Sequence, residues 1–418
     1  MEIKRDIYLN ALLRKRGNGL IKIVTGIRRC GKSYLLGTIF RNALIADGIA
    51  ENHIIQMSFD SIENEEYHNP KTFFNWAKGK ITDNLPYYFL LDEIQLMDRF
   101  ESALNGLNEL SNVDVYVTGS NAKFLSKEIA TEFAGRGDEV HMYPLSFSEF
   151  MTVYEGDSIH GLQEYMTWGG IPLVVLASEQ DKAKLLHSLF DETYTRDIVN
   201  KHHIRNRREL EDLLNILSSS TGSLTNPEKL MNTFKSVKKS KITANTIGTY
   251  LDYFEDSFLV ESAMRFDIKG KAYIETPKKY YFTDIGLRNA RLGFRQNEQT
   301  HIMENVIYNE LRIRGCEVDV GVVPVAEKNE EGKMVHKQLE IDFICSPGGG
   351  QKKYYIQSAY SLPDEKKREQ EVRPFLKTGD SFKKIVITND LTPSSYDDNG
   401  ILTLNFINFL TDADSLEK

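Results

Sequence analysis

The sequence predicts an α/β protein in three parts: a parallel-sheet domain over residues 1–145, a helical domain over 146–297, and a second α/β domain over 298–418. Three observations carry this prediction. Between residues 20 and 145, short runs rich in β-branched and aromatic residues alternate with stretches of helical period, the pattern of a parallel sheet covered on both faces. The stretch GIRRCGKS (26–33) satisfies every fixed position of G-x-x-x-x-G-K-[ST], after an apolar strand and before a helix. After Pro144 strands give way to helical periodicity, and they return beyond Glu298.

At 418 residues the chain is longer than one ordinary core requires. Hydrophobic residues are 41% and charged residues 27%, and the net charge of −8 argues against a protein held on nucleic acid by bulk charge. Cys30, Cys316 and Cys345 lie far apart with no C-x-x-C spacing, which points to reduced thiols rather than zinc or disulfides. The N-terminal MEIKRDIYLNALLRKR has no apolar core of signal-peptide length. No run approaches the ~20 apolar residues of a membrane span, so a cytoplasmic protein without a membrane partner is expected.

In the first domain the expected strands are LIKIVT (20–25), HIIQMSF (53–59), YYFLLDE (87–93) and VDVYVTGS (113–120), with helical stretches such as SYLLGTIFRNAL and DRFESALNGLNEL between them. Ser146 and Glu149 in SFSEF form a capping box that opens the helical region, which is expected to run to about residue 265. Within it NTIGTYLDYFEDSFLV (245–260) reads as a helix followed by a strand, and KKYYFTDIGLRNA (278–290) follows as strand, turn and helix. The third domain opens on the helix MENVIYNELRIRG, with strands at QLEIDFIC, KKYYIQSAY and KKIVITND. EKNEEGKMVHK (327–337) reads as a polar hairpin or loop.

GIRRCGKS has the chemistry of a phosphate cradle. Its glycines let the backbone curl so that N–H groups over Gly26, Ile27, Arg28, Arg29, Cys30, Gly31, Lys32, Ser33 and Tyr34 face phosphates, and the following helix adds its positive end. In this P-loop NTPase pattern Lys32 reaches the β- and γ-phosphates and the Ser33 hydroxyl holds Mg²⁺. Arg28, Arg29 and Cys30 fill unconstrained positions and are expected at the surface. YYFLLDEIQ (87–95) delivers two acids at the carboxyl end of a strand: Asp92 for the magnesium and Glu93 to orient and deprotonate the attacking water. VYVTGSNAKFL (115–125) brings Ser120 or Asn121 toward the γ-phosphate, with a helix N-cap as the alternative use. Arg136 in FAGRGDE is a candidate arginine finger, in the same chain or from a neighbouring copy, or else a plain surface arginine. ATP and Mg²⁺ are the expected ligands.

The cradle, the acidic strand LLDEIQ, the turn TGSNAKFLS and the sequel YPLSFSEF resemble a family of prokaryotic AAA-like ATPases in which an ATPase domain precedes a conserved domain of unknown function. The resemblance continues through YMTWGGIP, ETYTRDIV, NTIGTYLDYFEDSFLV and KKYYFTDIGLRN, so it spans nearly the whole chain. It implies ATP binding and hydrolysis, a winged-helix-like middle and a restriction-endonuclease-like C-terminal fold. Read from its residues, the helix in 245–260 carries Asp252, Glu255 and Asp256 and no basic residue between Asn245 and Glu261. A DNA-reading helix offers Arg, Lys, Asn or Gln to base edges. The basic runs KHHIRNRR (201–208) and KSVKKSK (235–241) read as solvated faces, and His202 and His203 as surface residues. A helical unit that packs on the ATPase domain or on a partner is therefore favoured over a sequence-specific DNA reader.

Near the C-terminus, a helix bearing Glu304, a strand bearing Asp342 and the strand YYIQSAY resemble the restriction-endonuclease-type core, where a helix acid, a strand Asp and a following Glu-x-Lys hold Mg²⁺ and activate water. Here Gln357-Ser358-Ala359 stands at the last element, so a carboxylate and a cation are both missing. Glu340 shares the strand face of Asp342 and is a further candidate ligand, the alternative being acids on a solvated helix and sheet edge. A degenerate binding fold without nuclease activity is the expectation. Two function classes stay open. One is an Mg²⁺-dependent ATPase whose cycle rearranges its domains on a nucleic-acid or protein target. The other is a slow ATP-dependent switch whose C-terminal domain binds a partner or DNA without cutting it. Further copies of the chain are compatible partners for either. A dead scaffold is disfavoured because Lys32, Ser33, Asp92 and Glu93 are all present.

Overall fold

The computed structural model describes residues 3–119, 135–296, 298–328, 332–348 and 352–418. They divide into two compact units, one of residues 1–144 with 256–258, the other of residues 145–255 with 259–418. Among the described residues no helix is long and apolar enough to cross a membrane.

The first unit is built on five parallel strands: β1 (Ile21–Thr25), β2 (Ile54–Ser58), β3 (Tyr87–Asp92), β4 (Val113–Thr118) and β5 (Gly137–His141), in the order β2-β3-β4-β1-β5. β1 and β3 lie inside the sheet and are buried along nearly their whole length, which is why their runs are almost continuously apolar. The exception is Lys22, fully buried in β1, whose ammonium is paired with Asp114 on β4; the hydroxyl of Tyr116 donates to the same carboxylate at 2.8 Å. A buried lysine is tolerable in a sheet centre only with such a partner. Ile23, Phe89, Leu91, Val115 and Val117 pack on Phe73, Phe100 and Leu104 from the covering helices.

The second unit opens on the capping box of Ser146 and Glu149, with both reciprocal bonds present. Helices follow to Ala244–Asp256, so the helical region ends before residue 260, where β7 begins, rather than near 265. Nine strands then form one sheet: β6 (Leu224–Thr225), β7 (Val260–Asp267), β8 (Ala272–Phe282), β9 (Cys316–Lys328), β10 (Met334–Pro347), β11 (Tyr354–Ala359), β12 (Lys383–Thr388), β13 (Ser395–Tyr396) and β14 (Leu402–Asn405). Their order is β13-β14-β12-β11-β10-β9-β7-β8-β6. The boundary expected at 297/298 is therefore not a break between compact units. β7 pairs with β9 through Arg265↔Val320, and this joins the hairpin β7–β8 to the later strands.

Two sequence signatures turn out to be one structural knot. Asp284, in TDIGLRN, is buried and accepts the N–H of Gly170 at 2.7 Å and of Leu287 at 3.1 Å. Gly169, at φ +75°, and Gly170 in WGGIP leave room for that carboxylate and for the Leu145 backbone. Burial pushes the Asp284 carboxyl up to about 6, against the opposing pull of four backbone N–H groups. Cys316 and Cys345, 29 residues apart, meet thiol to thiol across β9 and β10 in the core, a proximity that sequence spacing does not reveal. His202 is half-buried and stacks on Tyr253 with ring centroids 3.6 Å apart, unlike the surface residue expected, whereas His203 is exposed.

Candidate functional site

The cradle follows directly from β1. Gly26 adopts φ +138°, and a Cβ there would run into the carbonyl oxygen of Met142; Gly31 adopts φ +106° at the start of the helix. Both positions need glycine. Arg5 braces the loop from below, donating to the Cys30 carbonyl at 3.0 Å and the Tyr143 carbonyl at 2.6 Å. Cys30 is fully buried, contrary to the surface position expected for it, because the loop turns its side chain under the cradle beside Gly26. Arg29 is exposed, Arg28 half-buried, Ile27 buried, and Ser33 and Tyr34 open to solvent.

Lys32 carries the most telling geometry. Its side chain folds back over the loop, and the ammonium donates to the carbonyls of Gly26 at 2.8 Å and Ile27 at 3.0 Å. The residue is 4% exposed, and no carboxylate is paired with it among the described residues. A buried cation held, among the described residues, by neutral carbonyls is an electrostatic arrangement that an anion would complete.

The carboxyl ends of β3 and β4 supply the acids. The Thr118 hydroxyl donates to Asp92, and the same oxygen accepts the Glu93 backbone N–H at 3.0 Å. Ser58 on β2 reaches the other Asp92 oxygen at 3.3 Å. Glu93 sits at φ +53°, a left-handed conformation that turns its side chain sharply from the strand, and its carboxylate accepts the amide of Gln95. Thr118 and Gln95 were legible as letters in VYVTGS and LLDEIQ, but only the parallel register of β3 and β4 shows what they hold. One carboxylate and one hydroxyl, Asp92 and Ser33, fit magnesium, which takes few protein ligands and the substrate phosphates.

Ser120 and Asn121 lie outside the described residues. Arg136 is exposed, and its carbonyl accepts the N–H of Ile21 at the amino end of β1. β1 runs parallel to β5 from that point to the cradle, about 16 Å of strand at the usual rise per residue. An arginine side chain is shorter than that strand, so Arg136 stands at the opposite end of β1 from the cradle.

In the second unit Glu304, Glu340 and Asp342 do converge, but on another side chain. The ammonium of Lys279 on β8 lies 2.9 Å from Glu304, 2.9 Å from Glu340 and 3.5 Å from Asp342. The sequence reading missed Lys279, which lies 25 residues before Glu304 and 63 before Asp342. Gln357 stands at the edge, its carbonyl oxygen 3.4 Å from the Asp342 backbone N–H. Burial works to lower the Lys279 pKa, but Glu304, Asp342 and Glu340 outweigh it and hold the ammonium charged above its ordinary range. Burial raises Asp342 to about 7, opposed by Lys279 and reinforced by Glu304. Among the described residues no group of three or more His, Cys, Asp or Glu side chains is arranged to hold a metal. Three of the candidate ligands of a second metal site, Glu304, Glu340 and Asp342, thus surround an ion-paired lysine, and Gln357 stands beside them.

Residues 18–151 match the family described as an AAA domain, and residues 159–298 match a domain of unknown function (DUF8612). An uncharacterized protein of Haemophilus influenzae is 35% identical over 392 residues, covering 92% of this chain and 93% of its own. An uncharacterized protein of Methanocaldococcus jannaschii is 30% identical over 416 residues, covering 95% and 86%. Among solved structures, a Walker-type ATPase of Pyrococcus abyssi is similar at 16% identity with a TM-score of 0.47, over 70% of this chain and 96% of that one. The ORC1 protein of Aeropyrum pernix in complex with DNA is similar at 10% identity with a TM-score of 0.31, over 70% and 93%.

Proposed function

This chain belongs to a family of proteins that join an AAA-type P-loop ATPase domain to a domain of unknown function, and we propose that it binds and hydrolyses ATP with Mg²⁺ to rearrange its units on a nucleic-acid or protein target. The observation that carries the reading is Lys32: a buried ammonium that, among the described residues, is held by two carbonyls, at a glycine loop that opens a helix. The backbone N–H groups of the loop cradle the phosphates, and Lys32 supplies the charge. Ser33 and Asp92 hold the magnesium, which offsets phosphate charge when bound. Thr118 fixes the Asp92 carboxylate and the Glu93 backbone together, so the metal ligand and the base are set by one hydroxyl. Glu93 takes the proton of the attacking water.

One contact favours the switch as a second reading. The Glu93 carboxylate is engaged by Gln95, and a base held this way turns over slowly until the pair opens. The target stays with the second unit. Apart from one amide, Asn245, the exposed face of helix Ala244–Asp256 carries Thr249 and Asp252 and presents no cation for phosphates, which supports a protein partner over base reading. The order helix Arg207–Ser219, β6, two helices and the hairpin β7–β8, with β6 paired to β8, supports a winged-helix-like unit.

The test is ATP turnover by the purified full chain, with and without duplex DNA. The Glu93→Gln chain should bind ATP normally and hydrolyse it ~10²–10⁴-fold more slowly. Wild-type turnover in that chain would remove Glu93 as the base. A slow basal rate that rises in Gln95→Ala would select the switch.

A further inference from the structure

The acid cluster of the second unit is built around a cation that belongs to the chain itself. Lys279 enters from β8, Glu304 from the helix Gln299–Ile313, and Glu340 and Asp342 from β10, where alternate residues share a face. The lysine side chain is 4% exposed, against 14% for Glu304, 12% for Asp342 and 36% for Glu340. Two of the acids have a further donor each. Tyr281 donates to Glu304 at 2.8 Å, and the Ser358 backbone N–H donates to Asp342 at 2.9 Å. Gly222, at φ +74°, passes close to the Glu304 carboxylate, and a Cβ there would come to about 3.0 Å of it.

An ammonium has three protons to donate, and three carboxylates receive them here. Glu304 and Glu340, each 2.9 Å from the ammonium, are at the distance of charge-assisted hydrogen bonds, and Asp342 at 3.5 Å is a longer ion-pair contact. A divalent ion entering at the same point would meet a tethered positive charge that cannot diffuse away. Where the restriction-endonuclease pattern has its lysine, Ala359 is buried in an apolar layer with Val325, Val372 and Phe375. The cation of this cluster therefore stands among the acids and not at position 359.

We infer that Lys279 is the resident cation of this cluster, standing where the divalent metal of a restriction-endonuclease-like centre would be held, so that the second unit takes up no metal there and cuts no phosphodiester. The substitutions at Gln357 and Ala359 are then not a damaged active site but the surroundings of a permanent internal ion pair. The unit keeps the shape for binding and has lost the means of cutting.

Mn²⁺ binding to the full chain, followed by electron paramagnetic resonance without nucleotide, tests this. All samples carry Asp92→Asn to silence the first unit. The chain with Lys279 should show no Mn²⁺ site dependent on Asp342. Lys279→Met should bind Mn²⁺ at least ~10-fold more tightly, and adding Asp342→Asn should abolish the gain. Lys279→Arg should stay closed. Should Lys279→Met fail to fold, the chain with Lys279 still decides. Mn²⁺ uptake that Asp342→Asn removes overturns the inference, and its absence, together with no Mn²⁺-dependent cutting of linear DNA, upholds it. A folded Lys279→Met chain that binds no Mn²⁺ overturns it. So does DNA cutting by the intact chain that is lost in Lys279→Met, which would make Lys279 a catalytic lysine instead.

Discussion

Lys32 and Lys279 are buried to nearly the same degree, at 4% and 3% exposure, yet they have opposite surroundings. Lys32 lies against two carbonyl oxygens of its own loop, and Lys279 against three carboxylates from two other elements. Carbonyls compensate an ammonium with partial charges only, so the Lys32 charge stays available to an incoming anion. Carboxylates overcompensate it, so the second site repels anions and has no room for a metal. Burial alone says little about what a lysine does; the charge of its partners decides whether it binds something or closes something.

The comparison predicts opposite effects for the same substitution. Lys279→Ala leaves three buried or half-buried acids without their cation, and should lower the stability of the second unit by ~3–5 kcal/mol in denaturant melts. ATP affinity should not change. Lys32→Ala should do the reverse, weakening ATP binding by ~10²–10³-fold, about 3–4 kcal/mol, in a nucleotide titration. The melting temperature without nucleotide should hold or rise, because an uncompensated buried charge is gone. Equal destabilisation by the two substitutions would end the distinction.

Asp284 sharpens it with a buried ion of the other sign, held by backbone N–H groups. Its folded pKa, about 6, lies above the ordinary 3.8, so the folded chain holds the proton more tightly than the unfolded one. Its stabilising contribution is complete below pH 4 and lost as pH rises through 6. Relative to Asp284→Asn, wild-type stability should therefore fall by roughly 2 kcal/mol between pH 4 and pH 7. A difference that grows with pH would mean that the N–H groups outweigh burial. Thr118→Val tests the first site more gently. Loss of the hydroxyl shared by Asp92 and Glu93 should cost about 1 kcal/mol of stability and a several-fold loss of Mg²⁺-dependent turnover. The smallest effect is expected at Arg136, at the far end of β1, where Arg136→Ala should leave turnover within about two-fold. A ~10³-fold loss that depends on protein concentration would show a finger acting from a neighbouring copy.

The sequence by itself determined the first unit almost entirely. Strands β1 to β4 lie within two residues of their expected ends, because strands inside a parallel sheet must be apolar throughout and are bounded by sharp turns. Lys32 and Ser33 on the glycine loop, and Asp92 and Glu93 at the end of β3, stand where the sequence places them for a local reason: a glycine loop and a strand end are each made by consecutive residues. Tertiary structure alone decided everything that depends on pairing between distant segments. Arg136 has the right neighbours in sequence and the wrong end of a strand, which only the β1–β5 register reveals. WGGIP and TDIGLRN are separate strings until Asp284 joins them. Glu304 and Asp342 could be named from a resemblance and Glu340 from its place on the strand of Asp342, but not Lys279, whose approach depends on β7 bridging β8 to β9 in one sheet. A charge cluster reads the same in sequence whether it awaits a metal or already holds its cation, because the two cases differ only in the few ångströms around one ammonium.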